Sequence, residues 1–158
     1  MVDLLLVYPY FNDDDSIFKY PPLGVGYIAS YVRDRGYSVA IVDCTFLTEE
    51  EAVRRVRIMK PRVLGIYSMS GMKDSALRLA RRLRDSCTLL ICGGPLPTVS
   101  PEEFLGTFDL AVIGEGEETV LDLLRSLDSD RGPYVSGVAY LNGAGRLTFT
   151  RPRGQAHD

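Results

Sequence analysis

The sequence is poorest in histidine: His157 is the only one, next to the last of 158 residues. Without an internal histidine the chain lacks the usual general base of Ser-His-Asp or Cys-His chemistry. Cysteine is scarce too. Cys44, Cys87 and Cys92 are odd in number and form no CxxC pair, which argues against secreted disulfides and against a zinc or iron–sulfur site. They read as small core residues. No apolar run reaches the roughly 18 residues of a membrane span. The first run, Leu4–Tyr8, is short and lacks the basic flank of a signal peptide. Basic charge is not in excess: the net charge of −3 and pI near 5.2 argue against nucleic acid as the main partner. With 46% hydrophobic and 25% charged residues, the expectation is one cytoplasmic globular domain with a real core.

What is present is a regular alternation. Asp3–Tyr8 reads as a strand buried on both faces. Pro22 suits a first helical position, and Val25, Ile28, Ala29 and Val32 then share one helical face, which Gly36 ends. Ser38–Val42 is the second strand. Thr48 with Glu51 makes a capping box for the next helix, whose Arg54, Arg55 and Arg57 read as a solvated C-terminal half. Arg62–Tyr67, Thr88–Cys92 and Asp109–Ile113 are further strands. They alternate with helices whose inward faces carry Ala76, Leu79, Ala80 and Leu83, then Val120, Leu121, Leu124 and Leu127. Gly137–Leu141 and Arg146–Thr150 flank Asn142-Gly143-Ala144-Gly145, a β-hairpin signal. The fold class is therefore α/β. It is a Rossmann-like (flavodoxin-like) five-stranded parallel sheet of order 2-1-3-4-5, with helices on both faces and a C-terminal β-hairpin extension. Residues 1–130 form the main domain, 131–150 the hairpin extension and 151–158 a tail.

The unusual loops all follow strands, so they gather at the C-terminal edge of such a sheet, where ligands of open α/β folds bind. Leu89–Thr98 runs from a buried strand into Gly93 and Gly94, where backbone can turn sharply or lie against a flat ligand. Pro95 and Pro97 are expected to hold the following loop extended. Gly114, Glu115, Gly116 and Glu117 form a second glycine loop. Ser68, Ser70 and Gly71 follow strand three, opposite a long polar loop, Pro9–Lys19, which contains Asn12 to Asp15. No Walker lysine motif is present, and the first loop lacks the GxGxxG that would make Asp43 a ribose ligand. Tyr67 stands where a receiver domain needs an aspartate. The glycine pair and the two serines suit a large flat ligand with a tail threaded into the edge, and Glu115 and Glu117 could accept hydrogen bonds from its amides or hydroxyls. Structural roles stay open for the same residues: the serines as helix N-caps, the glutamates as partners of a helix dipole.

Four motifs in order, PPLG (Pro21–Gly24), S-x-S-G (Ser68–Gly71), GGP-x-PT-x-x-PEE (Gly93–Glu103) and D-x-x-x-x-GEGE-x-T (Asp109–Thr119), span most of residues 3–150. In them the chain resembles the N-terminal cobalamin-binding domain of cobalamin-dependent radical SAM enzymes, a family of methyltransferases and anaerobic magnesium-protoporphyrin monomethyl ester cyclases. The resemblance implies that Gly93, Gly94 and Pro95 lie along the cobalamin nucleotide tail. It implies that Ser68 and Ser70, beside Gly71, bond the tail or the corrin amides. Gly114, Glu115, Gly116 and Glu117 would meet the corrin periphery or tail, and Tyr20, Pro21, Pro22 and Leu23, with Gly24, would pack beneath the ring near cobalt. The D-x-H-x-x-G loop of histidine-ligating cobalamin carriers is absent, so the implied state is base-off without a histidine ligand. Leu96 stands where many relatives carry histidine. The family's C-x-x-x-C-x-x-C motif is also absent, so the 4Fe-4S cluster and S-adenosylmethionine are expected in a radical SAM barrel in cis, beyond 151–158. The chain alone would be a non-catalytic platform, the longer protein a methyltransferase or cyclase. The alternatives are a ligand-free flavodoxin-like regulatory or interaction module, and a flavin or dinucleotide protein.

Overall fold

A central sheet carries the fold in the computed structural model, which describes residues 1–11 and 21–154. Its strands are β1 (Leu4–Tyr8), β2 (Val39–Asp43), β3 (Val63–Tyr67), β4 (Leu89–Gly93), β5 (Leu110–Val112), β6 (Val138–Leu141) and β7 (Leu147–Phe149). The helices are α1 (Leu23–Arg33), α2 (Glu49–Met59), α3 (Lys73–Leu83), α4 (Pro95–Val99) and α5 (Glu117–Asp128). The order is β2-β1-β3-β4-β5-β6-β7. The first five strands are parallel and follow the expected 2-1-3-4-5 order.

The expectation of a five-stranded sheet needs correction. The hairpin joins the same sheet: β6 pairs antiparallel with β5 through Ala111↔Ala139 and Val112↔Val138, and β7 pairs with β6, giving seven strands in a mixed sheet. The reason is the edge that β5 would otherwise expose. Ala111 and Val112 are buried, and Val138 and Ala139 supply both the missing ladder and its apolar cover.

Because successive strand residues face opposite sides, the run Leu4-Leu5-Leu6-Val7 is buried throughout and serves two cores. Leu5, Val7, Leu64 and Leu90 pack with α2 and α3, and the fully buried Phe104 joins them. Leu4, Leu6, Val63 and Ile91 pack with Val25 and Val32 of α1 and with Val120, Leu123 and Leu124 of α5. The expected capping box is formed: the Glu51 N–H donates to Thr48 Oγ1 at 3.2 Å and the Thr48 N–H donates to the Glu51 carboxylate at 2.8 Å.

At the N-terminal edge, Arg62 donates to Asp3 at 3.0 Å and to Asp128 at 2.7 Å, and the Tyr37 hydroxyl donates to Asp128 at 2.8 Å. Burial pushes the Asp3 carboxyl up, but hydrogen bonds from Ser38 and the Arg62 guanidinium outweigh it and hold Asp3 below the ordinary aspartate range. This network clamps the sheet at the end opposite the glycine loops. No helix among the described residues is long and apolar enough to cross a membrane.

Candidate functional site

The site begins where β4 stops. Gly94 has φ +107° and ψ −174°, a backbone region open in practice only to glycine. This turn brings main chain against main chain. The Ser68 N–H donates to the Gly93 carbonyl at 2.9 Å, and the Leu96 N–H donates to the Ser68 carbonyl at 3.3 Å. A Cβ on Gly94 would stand 2.7 Å from that Ser68 oxygen and 3.0 Å from the Tyr67 ring. The next residues are not the extended loop expected from Pro95 and Pro97; they form the short helix α4, with Gly94 as its N-cap. In a first helical turn the N–H groups have no intrahelical partner, so two prolines cost nothing there.

Ser68 is fully buried, and its hydroxyl donates to the Met69 carbonyl at 3.2 Å. Neither Ser68 nor Ser70 caps a helix: Met69 precedes the short turn at Ser70–Met72 and Met72 precedes α3, both without a side-chain cap. Ser70 and Gly71 are exposed just beyond β3.

A cavity of about 210 Å³ lies between α1, α5 and the C-terminal halves of β3, β4 and β5. Gly65, Leu6 and Ile91 form its floor, and Val25, Ile28, Val112 and Val120 its walls. Gly65 sits in the middle of β3, where a Cβ would come within 2.8 Å of Leu6 Cδ2. Such a glycine thins a sheet where something approaches closely. Gly116 lets the start of α5 close on α1, since a Cβ there would meet Ile28 Cδ1 at 2.9 Å. Gly24 and Gly114 line the mouth with open space where a Cβ would be, Gly114 at φ +75°. Both α1 and α5 start without a side-chain cap, at Pro22 and Gly116. In α1 the Leu23 N–H is spent on the Pro21 carbonyl at 2.9 Å, and the other first-turn N–H groups of the two helices have no intrahelical partner.

Beside the cavity, Tyr8 and Tyr67 stack tilted with centroids 5.4 Å apart, and Tyr10 follows at 6.4 Å. Burial pushes both the Tyr8 and Tyr67 phenols up. On the outer side of α5, Arg153 donates to Thr119 Oγ1 at 2.7 Å, to Glu118 at 3.2 Å and to Asp122. Burial pushes the Cys44 thiol up to about 12 and raises Cys92 further.

Of the residues singled out from sequence, Gly24, Gly93, Gly94, Gly114, Glu115, Gly116 and Glu117 converge on this cavity. Pro21, Pro22, Leu23, Ser68, Ser70, Gly71 and Pro95 do not line it. Tyr20 and most of the Pro9–Lys19 loop lie outside the described residues. The cavity stands over β3 to β5, with Leu6 of β1 at its floor. The apolar floor and walls were missed, because Val25, Ile28 and Val120 at helical spacing look like ordinary core. Gly65, alone inside an apolar strand, was the available signal.

Comparison with known proteins gives consistent findings. The chain matches the family described as B12 binding domain over residues 15–124. It is 31% identical over 142 residues to an uncharacterized methyltransferase of Pyrococcus horikoshii, covering 84% of this chain and 30% of that protein. It is 32% identical over 130 residues to an anaerobic magnesium-protoporphyrin IX monomethyl ester cyclase of Synechocystis, covering 76% and 26%. The radical S-adenosylmethionine methyltransferase TsrM of Kitasatospora setae shares the fold, with a TM-score of 0.80 at 15% identity over 98% of this chain and 31% of that one. The chain thus spans about 30% of the lengths of these relatives.

Proposed function

The chain belongs to the B12-binding domain family, and from that premise we propose that the cavity between α1 and α5 receives the nucleotide tail of a cobalamin whose corrin ring lies over the C-terminal edge of the sheet. One observation carries this reading: an apolar cavity at that edge whose rim is glycine backbone. The residues present fit the group. At Gly24 and Gly114 a side chain would enter open space at the mouth, so a bulky planar ligand can reach the main chain there.

On this reading Gly93 and Gly94, with Pro95 behind them, lie along the tail. Gly114, Glu115, Gly116 and Glu117 border it, and the uncapped first turns of α1 and α5 offer N–H donors to its phosphate. Ser68 acts at one remove, because its carbonyl fixes the α4 start and its amide fixes Gly93. Exposed Ser70, with Gly71, would face the corrin amides, and Pro21, Pro22 and Leu23 would pack beneath the ring. The edge loops contain no histidine, so this chain would offer no imidazole to a bound corrinoid. When bound, the cobalamin supplies a cobalt centre able to carry a methyl group. The chain's own residues bind, orient and shield it, and none serves as acid or base.

Residues 1–130 are the binding unit in this proposal, 131–150 an extension that completes the sheet and 151–158 a linker. The complete protein is proposed to place this platform in cis with a radical SAM barrel that holds the 4Fe-4S cluster and S-adenosylmethionine, for methyl transfer or cyclase chemistry. The test is titration with hydroxocobalamin and methylcobalamin, followed by gel filtration and the visible spectrum. Co-elution with a base-off spectrum is expected, weakened by Gly65→Val, which raises the cavity floor. Retention of neither cobalamin by a folded chain would sink the proposal in favour of a ligand-free module.

A further inference from the structure

We infer that the cavity selects corrinoids by their lower base, taking apolar bases (benzimidazoles and phenols) over purines. The inference rests on the proposed placement of the nucleotide tail and adds the class of tail the site accepts.

Among the described residues, the depth of the cavity offers hydrocarbon only. Leu6, Ile91, Val25, Ile28, Val112 and Val120 present no polar atom. The main chain beneath them is already engaged. Gly65 lies in an interior strand, in register with Leu6 of β1 on one side and Ile91 of β4 on the other. Ile91 is likewise flanked by β3 and by Leu110 of β5. Strands paired on both sides spend their N–H and C=O groups in the ladders. The Cys92 thiol, the one polar side chain near the floor among the described residues, is directed at the Leu110 carbonyl, 3.6 Å away. The Tyr67 phenol, Glu115, Glu117 and the first turn of α5 all stand at the mouth. Polar recognition is therefore available to the phosphate and ribose and not to the base beyond them.

The bases differ at the edge that goes deepest. Adenine carries an amino group and ring nitrogens that would lose water and find no partner. Each such buried, unsatisfied group costs roughly tenfold to a hundredfold in affinity. Dimethylbenzimidazole presents two methyl groups at that edge and p-cresol one, and each buried methyl adds roughly fourfold.

The test uses the chain with four corrinoids: cobalamin, its adenine-based and p-cresol-based counterparts, and cobinamide, which has no nucleotide. Dissociation constants are measured by equilibrium dialysis. Each is corrected for the base-off fraction of the free corrinoid, because a cresol never coordinates cobalt whereas dimethylbenzimidazole must first leave it. The expected result is that the cresol and dimethylbenzimidazole forms bind at least about tenfold more tightly than the adenine form. Equal corrected affinities for the adenine and dimethylbenzimidazole forms would overturn the inference and leave the proposed function standing. Nucleotide-bearing forms that bind no better than cobinamide would overturn the placement of the tail, and failure of all four to bind would overturn the proposed function itself. Val120→Thr, which conserves shape and adds one hydroxyl to the wall, should narrow the preference against adenine several-fold. The wild-type series decides the question even if that variant does not fold.

Discussion

Replacing Gly94 with alanine perturbs the backbone turn that shapes the rim, and its cost can be worked from two separate sources. The first is conformational. At φ +107° and ψ −174° an L-residue sits in a region essentially restricted to glycine, at about 1–3 kcal/mol. The second is contact. The new Cβ would lie 2.7 Å from the Ser68 carbonyl oxygen. That oxygen cannot easily retreat, since it accepts from the Leu96 N–H while the Ser68 N–H is tied to the Gly93 carbonyl. Tyr67, 3.0 Å away on the other side, is stacked on Tyr8. Overpacking against such neighbours adds about 1–3 kcal/mol. The expected loss is therefore about 2–6 kcal/mol, a large share of the roughly 5–15 kcal/mol that holds a domain folded. Gly114→Ala is the control: it has positive φ but nothing within 4 Å, so only the strain remains, about 1–2 kcal/mol. Urea unfolding followed by circular dichroism measures both. The midpoint should fall further for Gly94→Ala, with an unchanged slope. Equal losses for the two variants would refute the claim that the Ser68 carbonyl is fixed.

Two further outcomes follow from the side chains. Under native conditions a thiol reagent at pH 8 should modify half-buried Cys87 first. Cys44 and Cys92 should react only as the chain opens, because burial raises both thiols; rapid native labelling of Cys92 would contradict its placement. In acid, the carboxyls of Asp3 and Asp128 are both held low, Asp3 against the raising effect of burial by Ser38 and Arg62, and Asp128 by Arg62 and Tyr37. Depressed carboxyls contribute stability that is complete above their unfolded values and disappears as pH falls through the folded ones. Arg62→Met should therefore lower the urea midpoint most at neutral pH, and the gap to wild type should close between about pH 5 and pH 2. A gap independent of pH would rule out the ion pairs as its source.

The alternation of strands and helices was legible because each apolar run is short and each helix keeps its face. The order 2-1-3-4-5 came with the flavodoxin-like class, one of the orders that right-handed crossovers permit. The hairpin was legible as a hairpin, but its docking on β5 was not: Val138 and Ala139 alternate no differently from a free-standing pair, and only the exposed edge of β5 selects them. Pro95–Val99 was misread because prolines two apart fit both an extended loop and a first helical turn. The glycine rim could be read residue by residue, since Gly93, Gly94, Gly114 and Gly116 each stand out from their neighbours. The cavity behind it could not. Its walls use the same valines and isoleucines as the core, and a space is the one feature that a sequence does not spell.

Arg153 gives the first turn of α5 a second task. Thr119, to which it donates, lies between Glu117 and Val120, which border the cavity. The Arg151 carbonyl meanwhile accepts from Gly137, tying the same segment to the start of β6. Residues 151–153 are thus latched at once to the turn at the cavity mouth and to the strand that completes the sheet, so the path by which the chain leaves the domain is set by the same residues that hold that turn.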